Sequence, residues 1–202
     1  TTEPPMSTTK IIEYIKTIDA PTLLVVIDRD GTLIKNNEFF GRNDSWMNEL
    51  EFNKEIVNYL SYLQTKYKTT KVIVTNQAGV AQGLFTCQRV EEINKHIHSQ
   101  LALKGITIDN WQYCPDADKA YTEAQKHKLT FDSQYVKEQT KRKPSPAMLY
   151  DALQQLNKDI SSFTTVLVLG DREEDEGLAK NLKAKFMDVK GKGYEELIKG
   201  FS

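Results

Sequence analysis

The chain has 202 residues, of which 39% are hydrophobic and 27% are charged, the balance of a soluble globular protein that can bury a substantial core. Its net charge of -1 excludes a global basic field that would attract nucleic acid or a membrane surface. Cys87 and Cys114 are its two cysteines, which favours a reducing, cytoplasmic location over a disulfide framework. The longest strongly apolar stretch, 23–27, is far too short to cross a bilayer.

The predicted elements alternate between helices and strands along the chain. Residues 1–21 are interpreted as a lead-in and a first helix with an isoleucine stripe, ended by Pro21. The continuously apolar run 22–28 is typical of a parallel strand buried on both faces. Further strands are predicted at 71–75, 111–113, 164–170 and 185–189, and helices at 53–67, 86–103, 146–156 (capped by Ser145) and 175–182. This alternation predicts an α/β fold with a doubly wound parallel sheet, in one domain spanning 22–202.

Two segments lack a clear period. Residues 35–50 carry Phe39, Phe40 and Trp46 among polar residues, and these rings could equally pack in the core or border a ligand. Residues 114–142 are polar and long for a loop, and loops of that length are usually functional or mobile. Neither segment leaves room for a large cap domain, so we expect these two loops to close the site.

Acidic and polar side chains follow the three clearest strands. The first strand runs into DRDGTL at 28–33, the second into TNQ at 75–77, and the third into Gly170-Asp171, with Asp175 one helical turn later. Because ligands bind at the carboxyl ends of the strands in this fold class, these groups should face one crevice.

The chemistry of these groups points to phosphoryl transfer. Clustered carboxylates repel one another unless a cation joins them, and such hard oxygen ligands suit Mg²⁺. One carboxylate can attack phosphorus, and a second can protonate the leaving oxygen and then deprotonate water. The basic run KRKP at 141–144 could stabilise the transferring phosphoryl group. Each motif alone could be a turn, a strand exit or a solvated surface, but their joint occurrence in this order favours a catalytic site.

Four segments, DRDGTL, VIVTNQAGV, KRKPSP and VLGDREED, resemble in order the signature motifs of the haloacid dehalogenase (HAD) superfamily, over about residues 23–189. Within it, DRDGT, TNQAGVAQGLFT, YCP and RKP resemble the heptose bisphosphate phosphatase and histidinol-phosphate phosphatase group. A more distant similarity is to the phosphatase domain of polynucleotide kinase phosphatases, which share TNQ and RKP. The resemblance implies a Mg²⁺-dependent phosphomonoesterase.

The resemblance also implies roles for the acidic residues. Asp28 corresponds to the nucleophile and a metal ligand, and Asp30 to the general acid and base, whose backbone carbonyl also binds the metal. Asp171 completes the protein's metal ligands, and Asp175 supports the cluster from the following helix.

The polar residues of the second and third motifs correspond to a phosphoryl-binding site. Thr75 and Lys143 would hold the phosphoryl group, with Asn76 and Arg142 as neighbours.

One departure concerns a zinc loop that heptose and histidinol phosphatases often carry. Cys114 is retained, but Asp116 stands where the resemblance places a histidine, and no further cysteine lies between Cys114 and Lys143. A closed zinc site needs about four ligands. We therefore expect no zinc and interpret Cys114 as a small buried residue.

Three classes of function remain at this level. The first is a phosphatase of a small phosphorylated metabolite: a sugar phosphate such as heptose bisphosphate or, as the alternative, histidinol phosphate. The second is repair of nucleic-acid ends, although no GxxxxGK[ST] kinase motif is present. The basic surface that would bind the nucleic acid consists of Lys137, Lys141, Arg142, Lys183 and Lys185. The third is a non-catalytic phosphate- or metal-binding regulator, against which the intact Asp28 and Asp30 argue. No oligomeric state is predicted.

Overall fold

The computed structural model describes residues 21–36 and 39–191. The lead-in and helix were predicted for residues 1–21, of which 1–20 lie outside the described residues, as does the final GYEELIKG segment. The domain boundary predicted at residue 22 therefore stays a prediction.

Strands and helices alternate along the chain as the sequence predicts. In chain order they are β1 (Thr22–Ile27), α1 (Trp46–Glu49), α2 (Lys54–Lys66), β2 (Lys68–Asn76), α3 (Cys87–Ala102), β3 (Asn110–Cys114), β4 (Ala117–Asp118), α4 (Lys119–Gln125), β5 (Val136–Lys137), α5 (Ala147–Gln155), β6 (Thr165–Gly170), α6 (Glu173–Leu182) and β7 (Lys185–Asp188). Two short 3₁₀ turns lie at Ser133–Tyr135 and Ile160–Ser162.

The central sheet has five parallel strands in the order β3-β2-β1-β6-β7. The chain winds outward from β1 in both directions, which confirms the predicted doubly wound α/β fold. Because successive side chains of a strand point to opposite faces, Leu23, Val25 and Ile27 belong to one core and Leu24 and Val26 to the other.

Helices cover both faces of the sheet. On one face, α2 and α3 contribute a core with residues such as Ile56, Leu60 and Ile97. On the other face, α5 and α6 contribute residues such as Leu149 and Leu178. This burial on both sides explains the uninterrupted apolar sequence of β1.

Helix starts follow local capping chemistry. Thr86 accepts a hydrogen bond from Arg89 N and begins α3, and Ala147 N donates to Ser145 Oγ over 3.3 Å before α5. Helix α6 begins at Glu173, two residues before the predicted start at Asp175. The reason is that Asp175 lies inside the first turn, where its Oδ2 accepts the backbone N–H groups of Asp171 and Arg172.

The segment 114–142, predicted as a loop, contains secondary structure of its own. Strands β4 and β5 pair in parallel around α4, so this small βαβ insertion corrects the loop prediction. Its strands have two residues each, and Thr122 is the one buried residue of α4. Elements this short bury too few apolar residues to produce a recognisable period.

The aromatic residues of segment 35–50 have different environments. Phe40 and Trp46 are buried in the core, with ring centroids 6.3 Å apart in an edge-to-face arrangement. Phe39, in contrast, lines a cleft at the sheet edge. Within residues 21–36 and 39–191, no helix combines the length and apolarity that a membrane crossing requires.

Candidate active site

A cleft of about 530 Å³ opens at the carboxyl edge of the sheet. Seven of the predicted site residues line it: Asp28, Asp30, Thr75, Asn76, Arg142, Lys143 and Asp175. The eighth, Asp171, directly follows β6 at this edge. The fold therefore brings together residues that lie up to 147 positions apart in the chain, because three parallel strands end side by side.

A buried charged triad lies at the base of the cleft. The Lys143 ammonium donates to Asp28 Oδ1 and to Asp175 Oδ1, each over 2.6 Å. All three side chains are at least nine-tenths buried. Because one lysine is shared by two carboxylates, the triad keeps an excess of negative charge.

Burial and neighbouring charges shift the pKa values of this triad. Burial raises the pKa of Asp28 to about 7, Lys143 acts in the opposite direction, and the Asp175 charge raises it again. Burial alone would lower the pKa of Lys143, but the adjacent Asp28 and Asp175 outweigh it and hold the pKa above its usual value. A further cation beside Asp28 would favour its ionised form.

Asp30 is held by a hydrogen-bonded network that includes Arg29 and Gln77. Arg29 donates from Nε to Asp30 Oδ1 over 2.7 Å and from Nη2 to Asp30 Oδ2 over 3.0 Å. Gln77 Nε2 donates to Asp30 Oδ2 over 2.9 Å and to Thr75 Oγ1 over 2.8 Å. The network therefore connects Asp30 to the residue predicted to bind the phosphoryl group.

Asn76 and Arg142 differ in their contacts. The Asn76 amide accepts from Lys143 N over 2.9 Å and donates to Lys143 O over 3.3 Å. Its side chain thus holds the Lys143 backbone next to the predicted phosphoryl-binding site, and a direct phosphate contact by Asn76 stays a prediction. Arg142 lines the cleft, and its Nη1 is shielded from solvent and has no hydrogen-bond partner among the described residues.

Three carboxylates can converge on one cation. Oxygens of Asp28, Asp171 and Asp175 lie within 4.8 Å of one another. Both Asp175 oxygens already accept hydrogen bonds from the protein, so this residue supports the cluster. Asp171 Oδ1 is buried and lacks a hydrogen-bond partner among the described residues. An all-oxygen donor set with one unsatisfied carboxylate oxygen fits a hard divalent cation such as Mg²⁺.

Gly31 lets the turn after β1 approach Asp171 closely. It has a φ of +82°, and a Cβ placed there would lie 2.6 Å from Asp171 Oδ2. Both the positive φ and the close contact require glycine. The glycine of DRDGT therefore lets this turn pack directly against the Asp171 carboxylate.

Aromatic rings form one wall of the cleft. A Cβ at Gly79 would lie 2.4 Å from Phe85 Cζ and 3.2 Å from Phe39 Cδ1, so both rings pack against the Gly79 backbone. Tyr121 of the βαβ insertion also lines the cleft and stacks edge-to-face on Phe131, with ring centroids 6.0 Å apart.

Cys114 lies next to Asn76 in the sheet, and its side chain belongs to the second core. It is 2% exposed, and burial raises the pKa of its thiol. The interpretation of Cys114 as a small buried residue is therefore confirmed, and the absence of zinc stays a prediction.

The sequence did not identify several residues that support the site. Arg29 lies inside the DRDGTL motif and Gln77 inside the TNQ motif. Their closeness in sequence to Asp30 and Thr75 could have identified them. Asn94, which holds Arg29, and Lys190, which pairs with Asp171 Oδ2, carry no sequence signal of this kind. They approach the site only through the packing of α3 and the end of β7.

Comparison with known proteins agrees with this geometry. The D-glycero-beta-D-manno-heptose-1,7-bisphosphate 7-phosphatase of Photorhabdus laumondii is 30% identical over 151 residues, which cover 75% of this chain and 71% of the relative. A HAD-like phosphatase structure from Mesorhizobium loti superimposes with a TM-score of 0.66 at 22% identity, covering 86% of this chain and 75% of that one. The D,D-heptose 1,7-bisphosphate phosphatase of B. bronchiseptica, solved with magnesium and phosphate, has a TM-score of 0.62 at 22% identity, with coverages of 88% and 86%. At 22% identity, the similarity to these two structures shows the fold alone.

The fold and these relatives define a phosphatase of the haloacid dehalogenase class. More particularly, the chain belongs to the polynucleotide kinase 3 phosphatase family, whose model matches residues 23–189. The resemblance to the HAD superfamily and its heptose bisphosphate phosphatase group is thereby confirmed.

Proposed function

We propose that this protein is a Mg²⁺-dependent phosphomonoesterase that forms an aspartyl-phosphate on Asp28 and acts on a small sugar phosphate. The observation that carries the proposal is the contact of Lys143 Nζ with Asp28 Oδ1 over 2.6 Å at the base of the cleft. A carboxylate and an ammonium in this arrangement supply an attacking oxygen and a positive charge for the phosphoryl oxygens.

In the first step, a carboxylate oxygen of Asp28 attacks the phosphorus of the bound ester. The bond between phosphorus and the ester oxygen breaks, and the Asp30 carboxyl gives its proton to the departing oxygen. Lys143, Arg142 and the Thr75 hydroxyl stabilise the charge that develops on the phosphoryl oxygens. The products are the free alcohol and a phosphorylated Asp28.

In the second step, Asp30 takes a proton from a water molecule that attacks the same phosphorus. The bond between phosphorus and the Asp28 oxygen breaks, which releases inorganic phosphate and restores the Asp28 carboxylate. Mg²⁺ bound by Asp28, Asp171 and the Asp30 carbonyl would neutralise charge on the phosphoryl oxygens and keep Asp28 ionised.

The size and the lining of the cleft favour a small polar substrate. Its volume of about 530 Å³ is in the range of small-molecule sites. Asp118 and Glu174 line it together with the aromatic wall, and carboxylates can accept hydrogen bonds from sugar hydroxyls. The relative from Photorhabdus laumondii acts on a heptose bisphosphate by name, and we propose a substrate of that class here, with histidinol phosphate as the alternative.

A second candidate function is removal of phosphate from nucleic-acid ends. The family description names a polynucleotide phosphatase, and the rings of Phe39, Phe85 and Tyr121 could stack on a base. The carboxylates of Asp118 and Glu174 on the cleft wall oppose a polyanionic strand. We therefore rank this function second.

The Asp28→Asn variant tests the proposed mechanism. The side chains are nearly isosteric, so the melting temperature should change little, whereas kcat for an aryl phosphate should fall by roughly three orders of magnitude or more. Chelation should abolish wild-type activity, and Mg²⁺ should restore it. Asp159→Asn, in the turn before β6, is the matched control and should retain full activity. Near-normal turnover by Asp28→Asn would refute the aspartyl-phosphate mechanism.

A further inference from the structure

Arg29 is the largest fully buried side chain described in the protein, with 0% exposure. Burial of a guanidinium costs free energy unless its N–H groups are hydrogen-bonded. Its Nε and Nη2 form a two-pronged contact with both Asp30 oxygens. Such a fork defines the plane of the carboxylate as well as its position.

The third guanidinium nitrogen of Arg29 contacts helix α3. Its Nη1 donates to Asn94 Oδ1 over 2.9 Å. Asn94 is 6% exposed and lies among the buried residues of that helix, outside the residues that line the cleft. It therefore reaches Asp30 only through Arg29.

The contacts of Asp30 are unequal at its two oxygens. Oδ2 accepts from both Arg29 and Gln77, whereas Oδ1 accepts from Arg29 alone. A carboxylate has about four acceptor sites, two per oxygen. Oδ2 is therefore filled, and Oδ1 keeps one site at which a proton can be carried.

We propose that Asn94, acting through Arg29, is a positioning residue that turns Asp30 Oδ1 toward the departing oxygen of the substrate. The inference rests on the proposed role of Asp30 as general acid. The proton moves from Asp30 Oδ1 to the ester oxygen as its bond to phosphorus breaks. Without Asn94 the Nη1 arm loses its partner, the guanidinium shifts, and the carboxylate plane turns with it.

Two substrates with different leaving groups test this role in the Asn94→Ala variant. An alkyl phosphate such as glycerol phosphate needs a proton on its departing oxygen, whereas 2,4-dinitrophenyl phosphate releases a stable phenolate and needs none. The value of kcat/KM reports the steps through cleavage of the ester bond. We expect it to fall by about tenfold or more for the alkyl phosphate and by less than about threefold for the aryl phosphate, since general acid catalysis contributes roughly 10²–10⁴-fold.

Two further variants separate positioning from folding. Arg29→Lys keeps the charge but loses the fork and should show the same selective loss on the alkyl phosphate. Ile97→Val, also buried on α3, removes a methylene group and should leave the ratio of the two kcat/KM values unchanged, whatever its effect on the melting temperature.

The possible failures are distinguishable. If wild-type protein hydrolyses both substrates and Asn94→Ala lowers kcat/KM equally for both, the positioning role is wrong and the proposed function stands. If wild-type protein with Mg²⁺ hydrolyses neither substrate nor any sugar phosphate, the proposed function itself fails.

Discussion

At the residue scale, the site is governed by the balance of buried charge. The carboxylates of Asp28, Asp171 and Asp175 face the ammonium groups of Lys143 and Lys190. Arg172 Nε also lies 4.0 Å from Asp171 Oδ1, and in a partly dry site such electrostatic interactions are stronger than in water. Small displacements of any carboxylate should therefore have measurable effects.

The Gly31→Ala variant tests this sensitivity. A Cβ there would push on Asp171 Oδ2 from 2.6 Å and displace a proposed metal ligand. We expect the apparent dissociation constant for Mg²⁺, measured by calorimetry or by Mg²⁺-dependent melting, to rise by about tenfold or more, equivalent to roughly 1.4 kcal/mol.

Gly105→Ala is the matched control for this prediction. Gly105 has a similar φ of +73°, but nothing lies within 4 Å of its Cβ position. It should carry the same backbone strain, about 1 kcal/mol, without weakening Mg²⁺ binding. Equal Mg²⁺ affinities for the two variants would mean that the contact with Asp171 is unimportant.

At the element scale, two insertions between the strands shape the cleft. The turn after β1 contributes Phe39, and the βαβ unit formed by β4, α4 and β5 contributes Asp118 and Tyr121. The carboxyl ends of the strands position the acidic side chains of the site. The insertions form the part of the cleft wall that we expect to contact the rest of the substrate. Changes in the insertions should therefore alter substrate binding more than turnover.

Tyr121→Ala is the variant that tests this division. Removing the ring opens the cleft wall, so KM for a sugar phosphate should rise by about threefold to tenfold while kcat changes by less than about twofold. Tyr150→Ala is the control, because Tyr150 is similarly exposed (48% against 45%) but lies on α5 outside the cleft lining. A large fall in kcat for Tyr121→Ala with unchanged KM would contradict the assignment of this wall to binding.

At the scale of the whole molecule, the basic residues do not form one surface around the cleft. Lys183 follows the last residue of α6, and Lys185 begins β7. Lys185 is level with Leu167, about 10 Å from the carboxyl edge at about 3.3 Å per residue. Lys141 pairs with Asp151, and Lys119 with Glu138. The basic surface considered from the sequence is therefore divided between two edges of the sheet and partly neutralised.

This charge distribution predicts a weak dependence of substrate binding on salt. A sugar phosphate makes one or two phosphate contacts, whereas a strand would add a slope of roughly 0.7 in log affinity against log salt for each phosphate neutralised. We expect KM for a sugar phosphate to change only modestly with ionic strength, and its kcat/KM to exceed that of a phosphate-ended oligonucleotide by about tenfold or more.

The opposite outcome would favour nucleic-acid end repair. Higher kcat/KM on the oligonucleotide, with a steep salt slope that is lost in a Lys137→Ala, Lys141→Ala double variant, would replace the metabolite as substrate. Lys68→Ala at the opposite edge of the sheet, where β2 begins, should leave that slope unchanged.

Much of the fold could be predicted because its signals are local. Each strand of the central sheet was predicted from its local sequence, and Ser145 marked the start of α5 within one residue. The βαβ insertion and the start of α6 were missed, because two-residue strands bury few apolar side chains and Asp175 acts from inside its helix.

The sequence by itself determined the strands of the central sheet, the carboxyl ends of those strands and the residue types that meet there, since each depends on neighbours within a few positions. Only the tertiary structure decided which groups touch: Lys143 reaches Asp28 across 115 residues, and Arg29 reaches Asn94 across 65. It also decided that Phe40 and Trp46 pack in the core while Phe39 faces the cleft. The physical reason is that local propensity and apolar patterning specify which residues form each strand or helix, whereas side-chain contacts arise when distant elements pack to exclude water and satisfy buried polar groups.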